Sequence, residues 1–289
     1  MRSFIREKKI YCGDDYLEVD IFSLTKNQVN KKGTRSKKER VSLNTQKNLN
    51  DKNARRKFSW ICEANFAKNS YSVTLTYNDY FLPATLEDAE REMRNYLRRL
   101  ARRRKKEGLD DLKYIVVTSS RCNEDDEPVR VHHHILMNDG LDREVIEELW
   151  RKSLGKGKGK AAIGFVNCDR IRADYNSGIQ RLCSYLSGNP KQKRRWSCSQ
   201  NLVRPWIRNN DHRFSRRQLN NLASEGASFE LIKRLYPNYA ILDKDYGFKA
   251  VYDDFRGWSV YLKLRRLKEW DYERKSWECK KLRRLLARW

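Results

Sequence analysis

Three of the four histidines in this chain, His132, His133 and His134, lie within the stretch VRVHHHILMN at residues 129–138. A run rich in Val, Ile, Leu and Met and bounded by polar residues predicts a buried or half-buried strand. Successive strand side chains point to opposite faces, so His132 and His134 share one face and His133 takes the other. Two imidazoles one residue apart on a rigid face can both reach one metal ion. Neutral imidazole suits Mn, Fe, Co, Ni or Zn, and at least one further ligand must come from elsewhere. The plainer alternative is three histidines that only satisfy hydrogen bonds within a sheet. Their clustering on an apolar strand of a histidine-poor chain favours the metal.

The totals narrow the setting. At 289 residues the chain can hold one good core, or a core plus a smaller appendage. Lys and Arg number 63 against 38 Asp and Glu, a formal charge of +25. An excess of that size points to a polyanionic partner, with nucleic acid well ahead of a membrane surface. No apolar stretch approaches the length of a membrane span, and the N-terminal MRSFIREKK lacks the apolar core of a secretory signal. A soluble, cytoplasmic protein with no membrane partner is the expectation. The seven cysteines, Cys12, Cys62, Cys122, Cys168, Cys183, Cys198 and Cys279, are odd in number and never spaced C-x-x-C. They read as reduced thiols, not as a disulfide framework or zinc knuckle.

Several elements must position the histidines. Residues 16–22 alternate well enough for a short strand or hairpin, and residues 27–40 form a basic surface segment. Asn50 or Asp51 can cap a helix running to Ala64. YSVTLTY, residues 71–77, alternates strictly, with Val73, Leu75 and Tyr77 on one face and Ser72, Thr74 and Thr76 on the other. Thr85, with Asp88 three residues on, opens a helix that Gly108 closes. Its end, RRLARRRKKEG, is so dense in cation that Arg102, Arg103, Arg104 and Lys105 are candidate phosphate contacts. Residues 112–118 predict a buried strand, an antiparallel neighbour of the histidine strand. A short helix over 142–152 follows, then the flexible basic loop GKGKGK at 155–160. That loop lacks phosphate-loop spacing because Ala161 follows its last lysine.

Residues 178–187 predict a helix with Ile179, Leu182, Cys183 and Leu186 buried and Tyr185 near its edge. The following KQKRRWSCSQ interleaves cations with an aromatic, so Lys193, Arg194, Arg195 and Trp196 are further nucleic-acid candidates. Two short helices over 215–224 and 228–235, a hairpin over 248–264 and a basic helix over 265–289 complete the chain. The order of elements predicts an α+β fold: a central, mostly antiparallel sheet with helices packed on one face, plus a basic helical C-terminal part. Metal beside polyanion favours phosphoryl transfer on nucleic acid. Tyr185, flanked by Arg181 and the cations at 191–195, is the side chain that could act as a covalent nucleophile.

YSVTLTY, then VHHHILM, then a helix carrying Tyr185 resemble, in that order, the HUH endonucleases. More closely, the chain resembles the rolling-circle replication-associated proteins of small phages, plasmids and integrated elements of low-GC Gram-positive bacteria. That likeness extends through IREKKIYCGDDYLEVDI, NLNDKNARRKF, LRRLARRRKKEGL, LKYIVVT, RRWSCSQNLVRP and GWSVYLKLRR. The resemblance implies that Thr74 to Tyr77 shape the sheet and origin contacts. It implies that His132 and His134 bind a divalent metal, Mn2+ or Mg2+. Tyr185 would then attack one DNA strand, keep its 5′-phosphate and free a 3′-hydroxyl. Origin or single-stranded DNA, a host helicase and a DNA polymerase are the implied partners.

Two positions depart from that pattern. Ser119 and Ser120 stand where the family often has a carboxylate as third ligand, and Glu124 is the proposed substitute. Gly188 stands where a lysine commonly follows the tyrosine, with Lys191 as the substitute. Tyr175 reads as a surface-loop residue. The expected division is an N-terminal extension over 1–66, an endonuclease core over 67–205 and a flanking or completing part over 206–289. A nucleic-acid-binding protein without catalysis, and an HUH transposase or mobilisation relaxase, are the competing readings.

Overall fold

The computed structural model describes residues 3–29, 44–67, 69–119, 130–173, 178–188, 195–224, 229–242 and 247–267. In chain order they form β1 (Ser3–Cys12), β2 (Tyr16–Thr25), α1 (Lys26–Val29), α2 (Asn44–Phe66), β3 (Ser70–Leu75), α3 (Leu86–Lys106), β4 (Tyr114–Ser119) and β5 (His132–Asn138). Next come α4 (Arg143–Glu148), β6 (Arg151–Ser153), β7 (Lys160–Ala162), β8 (Val166–Arg170), α5 (Gln180–Ser187) and β9 (Ser197–Cys198). The last are β10 (Trp206–Asn210), α6 (Arg216–Ser224), α7 (Phe229–Leu235), β11 (Tyr239–Ile241), β12 (Phe248–Asp253) and β13 (Gly257–Arg266). The fold is α+β with antiparallel sheets. Among the described residues no helix is long and apolar enough to cross a membrane.

The chain divides into two compact units, Met1–Val41 with Pro205–Trp289, and Ser42–Arg204. The expected boundary at 66 therefore falls inside a unit. α2 buries Phe58, Ile61, Cys62 and Phe66 in the core of the Ser42–Arg204 unit, while β2 pairs with β13 in the other. In that first unit the strand order is β10-β1-β2-β13-β11, with β12 on β13. One face of this sheet packs Val19, Ile21, Val260 and Leu262 against Leu219 and Leu222 of α6 and Ile232 of α7. Glu7 is buried on the same face, where Tyr236 donates to it at 2.6 Å and Arg213 pairs with it at 2.5 Å. A carboxylate taken out of water needs such partners. Residues 265–267 belong to β13 and its end; the rest of the expected C-terminal helix lies outside the described residues.

The Ser42–Arg204 unit carries a sheet of order β8-β3-β5-β4-β9, which puts the histidine strand at its centre between β3 and β4. Helices cover both faces, not one. Val73, Leu75, Ile135 and Met137 pack against Met93, Tyr96, Leu97 and Leu100 of α3. Ile115, Val117 and Leu136 pack against Phe58 and Ile61 of α2 and Cys183 and Leu186 of α5. The consecutive apolar runs Ile135-Leu136-Met137 and Ile115-Val116-Val117 are the physical reason, because neighbouring residues on a strand need cover on opposite sides. The helix expected over 142–152 stops at Glu148, and Arg151–Ser153 instead begins a two-stranded hairpin with Lys160–Ala162.

The end of α3 is fastened by its own cation. Arg104 is only 2% exposed; its Nε donates to the Asp110 carbonyl at 2.7 Å and its Nη1 to the Asp139 carbonyl at 2.8 Å. Arg104→Met should therefore strand two carbonyls and cost about 2–4 kcal/mol of stability, read as a drop in the urea unfolding midpoint. Arg102→Met, on an exposed site, should stay within about 0.5 kcal/mol.

Candidate active site

Strand β5 sorts its histidines by alternation. His133 is fully buried on the α3 side, with Tyr77 Oη 2.8 Å from Nε2 and Thr118 Oγ1 2.9 Å from Nδ1. The Trp150 ring lies 6.3 Å away. His132 and His134 are half-buried on the other side, their ring centroids 4.9 Å apart and perpendicular. His133 is thus a packing and hydrogen-bonding residue; the other two form the candidate ligand pair.

Tyr185 reaches that pair from α5. Its ring meets His134 edge-on with centroids 5.6 Å apart, and the side chain is 64% exposed. Local chemistry holds the helix in place. Cys183 and Leu186 bury their side chains against the sheet. At the helix N-terminus, Glu63 of α2 accepts hydrogen bonds from Gln180 Nε2 at 2.7 Å and from the Ile179 amide at 3.3 Å. A carboxylate there also complements the helix dipole. Gly178 sits at φ +59, and a Cβ on it would come within 3.1 Å of Glu63, so both backbone shape and space call for glycine.

The hydrogen bonds also set which nitrogens can donate electrons. His132 Nδ1 is 2.9 Å from the Arg130 carbonyl oxygen, which can only accept. Nδ1 of the neutral ring therefore carries the proton, and Nε2 keeps its lone pair, the ligand tautomer. His134 Nδ1 lies 3.1 Å from Thr74 Oγ1. With that hydroxyl accepting, His134 Nε2 is in the same state. Two neutral imidazoles fit a divalent transition metal, and they suit Mn2+ better than Mg2+, which prefers oxygen ligands. Among the described residues, no group of three His, Cys, Asp or Glu could hold an ion. Ser119 pairs in register with His132 and so shares its face, which puts the serine where the resemblance leads one to expect a carboxylate beside the histidine pair. Glu124, Lys191 and Tyr175 lie outside the described residues.

The proposed DNA contacts divide. Arg104 is corrected by its burial: it bonds backbone carbonyls and offers nothing to a phosphate. Arg103 pairs with Glu107, while Arg102 and Lys105 are exposed. All four sit on the α3 side of the sheet. Arg104 touches Asp139, beyond the far end of β5, roughly 20 Å from His132 at about 3.3 Å per residue. Arg195 pairs with Asp51 of α2, and Trp196 packs edge-on against Phe58 at 6.0 Å, so both help hold their segment onto α2. Lys193 and Arg194 lie outside the described residues.

Two exposed aromatics not among the sequence's candidate site residues stand at the histidine end of the sheet; Phe165, expected within a strand, lies just before β8. Tyr80 is 82% exposed and Phe165 is 85% exposed, and Phe165 accepts from the Thr76 amide at 3.0 Å. Large exposed aromatic rings are the kind of side chain on which nucleic-acid bases can stack. No family model, curated protein sequence or solved structure matches this chain.

Burial, and then the neighbouring His132 and His134, push the His133 pKa from its ordinary 6.5 down to about 3. The unfolded chain therefore takes up a proton that the native ring refuses. The stability at stake is complete above about pH 6.5 and is lost as pH falls from there towards about 3, by up to about 1.4 kcal/mol per pH unit. Unfolding free energies measured across that window should decline with this added slope. His133→Gln, starting from a lower plateau, should decline less.

Proposed function

We propose that this protein is a metal-dependent single-strand DNA endonuclease and strand transferase of the HUH kind, acting as a rolling-circle replication initiator. The observation that carries this reading is the meeting of an exposed phenol with a pair of half-buried imidazoles. Tyr185 lies edge-on to His134 at 5.6 Å, and His132 lies 4.9 Å beyond. The resemblance of YSVTLTY, VHHHILM and the Tyr185 helix to that superfamily, and the charge of +25, support it from the sequence side.

A divalent cation held by His132 and His134 would polarise a phosphodiester oxygen and offset the charge that develops during displacement. The Tyr185 oxygen attacks phosphorus as its proton leaves to water. The bond from phosphorus to the 3′-oxygen breaks, that oxygen takes up a proton, and the 5′-phosphate stays on the tyrosine. The freed 3′-hydroxyl primes synthesis by a host polymerase, with a host helicase opening the duplex. Attack by a 3′-hydroxyl on the phosphotyrosine reverses the step and joins the ends. Thr74 orients His134, the Arg130 carbonyl orients His132, and Glu63 holds the helix that delivers the phenol.

Ser119, at the place of the usual carboxylate, favours a second reading: a protein that binds nucleic acid on the same fold without cutting it. Incubation with Mn2+ and a pool of end-labelled single strands separates the two. The first reading expects a denaturant-resistant protein–DNA adduct that chelator abolishes. Tyr185→Phe should remove the adduct entirely while leaving binding intact, and His132→Ala or His134→Ala should lower it at least about 100-fold. Binding without any adduct would favour the second reading, and an adduct surviving in Tyr185→Phe would exclude this nucleophile.

A further inference from the structure

The hairpin formed by β6 and β7 has no part in the site described above, yet its composition and placement are unusual. Residues 151–160 read RKSLGKGKGK: five cations, no acid and one large apolar residue. All ten are exposed. Among the described residues the two strands pair only with each other, in a sheet of their own. An isolated two-stranded hairpin without an apolar face is marginal in water. Gly155, Gly157 and Gly159 take positive φ, and a Cβ on any of them would meet nothing, so they serve the turn's shape and leave the surface lean. Lys152 pairs with Glu92 at 3.8 Å, whereas Arg151, Lys156, Lys158 and Lys160 have no ion-pair partner among the described residues.

The root of this ribbon is rigid even though its tip is bare. The Ile163 amide donates to the Trp150 carbonyl at 3.1 Å, and the Asn78 amide donates to the Ile163 carbonyl at 2.8 Å. Asn78 Nδ2 donates to the Ala162 carbonyl at 3.0 Å. Trp150, only 1% exposed, donates from its indole to the Thr76 carbonyl at 2.9 Å and packs on Tyr77 and His133. The ribbon therefore springs from the histidine end of the sheet, beside exposed Phe165.

We propose that residues 151–162 are a duplex-DNA-binding arm, a basic β-ribbon that enters the major groove of the duplex adjoining the nicking site. A major groove is wide enough to admit a two-stranded ribbon, and one this rich in cation and small residues can neutralise phosphates on both walls. The choice of DNA as the polyanion rests on the function proposed above; the arm itself is carried by its charge, exposure and rooting. Phosphates contacted by lysine release counterions, which makes the number of contacts measurable as the slope of log affinity against log salt.

The test compares the full-length protein with the triple variant Lys156→Gln, Lys158→Gln, Lys160→Gln on a mixed-sequence duplex and on one of its strands alone. The duplex slope should fall in magnitude by about 2.7, or 0.9 for each lysine, while the slope on the single strand holds. The conservative triple change to arginine should restore the duplex slope, and it guards against a folding defect. An equal loss on both DNAs, or no loss on either, overturns the arm. Adduct formation at Tyr185 on single strands should be unaffected by the triple variant. Failure of the unaltered protein to form that adduct would count against the nicking reading alone.

Discussion

Strand β5 cannot slide by one residue without burying two imidazoles under α3 and turning His133 out beside Tyr185. In its present register, His133 fills a closed site in which Tyr77 and Thr118 satisfy both ring nitrogens and Trp150 closes the packing. A polar ring taken out of water without those two hydroxyls would be costly. The buried histidine is thus what pins its two neighbours to the opposite face, because side-chain period on a strand leaves no other choice. The middle histidine thus packs as a core residue does, with two hydrogen bonds added.

The second half of the site depends on a different kind of constraint. α5 is a short helix, and helices of that length owe their stability to packing more than to propensity. Cys183 and Leu186 supply the packing, and the Glu63 carboxylate supplies acceptors for the first turn. With one side of the helix committed to the sheet, Tyr185 falls on the border between core and solvent, where its ring contacts His134 and the rest of the side chain stays exposed. A rigid strand and a clamped helix therefore converge over a shared core in which Leu136 packs with Cys183 and Leu186.

Charge is distributed by role across the molecule. Arg104 is a bracket for the end of α3, Arg213 compensates the buried Glu7, and Arg195 joins its segment to α2. These cations are spent on structure. The cations on the β6–β7 ribbon are of the opposite sort, solvated and, among the described residues, mostly without carboxylate partners. The most basic run in the sequence, at the end of α3, is by contrast partly committed to structure through Arg103 and Arg104.

Periodicity alone located β3, α3, β4, β5, α5 and the closing β12–β13 hairpin, since each has a clear apolar repeat or a capping pair such as Thr85 with Asp88. The same repeat determined that His132 and His134 share a face and that His133 does not. It could not determine that the face is covered by α2 and α5, that the terminal segments join in one sheet, or that Arg104 is buried. Nor could it show that GKGKGK closes a hairpin, because glycine and lysine carry no periodic signal. Spacing along a chain fixes direction within one element, but distance between elements is decided by which apolar faces find each other. The sequence determined two imidazoles on one side of a strand, and only the tertiary packing of α5 decided that a phenol would stand beside them.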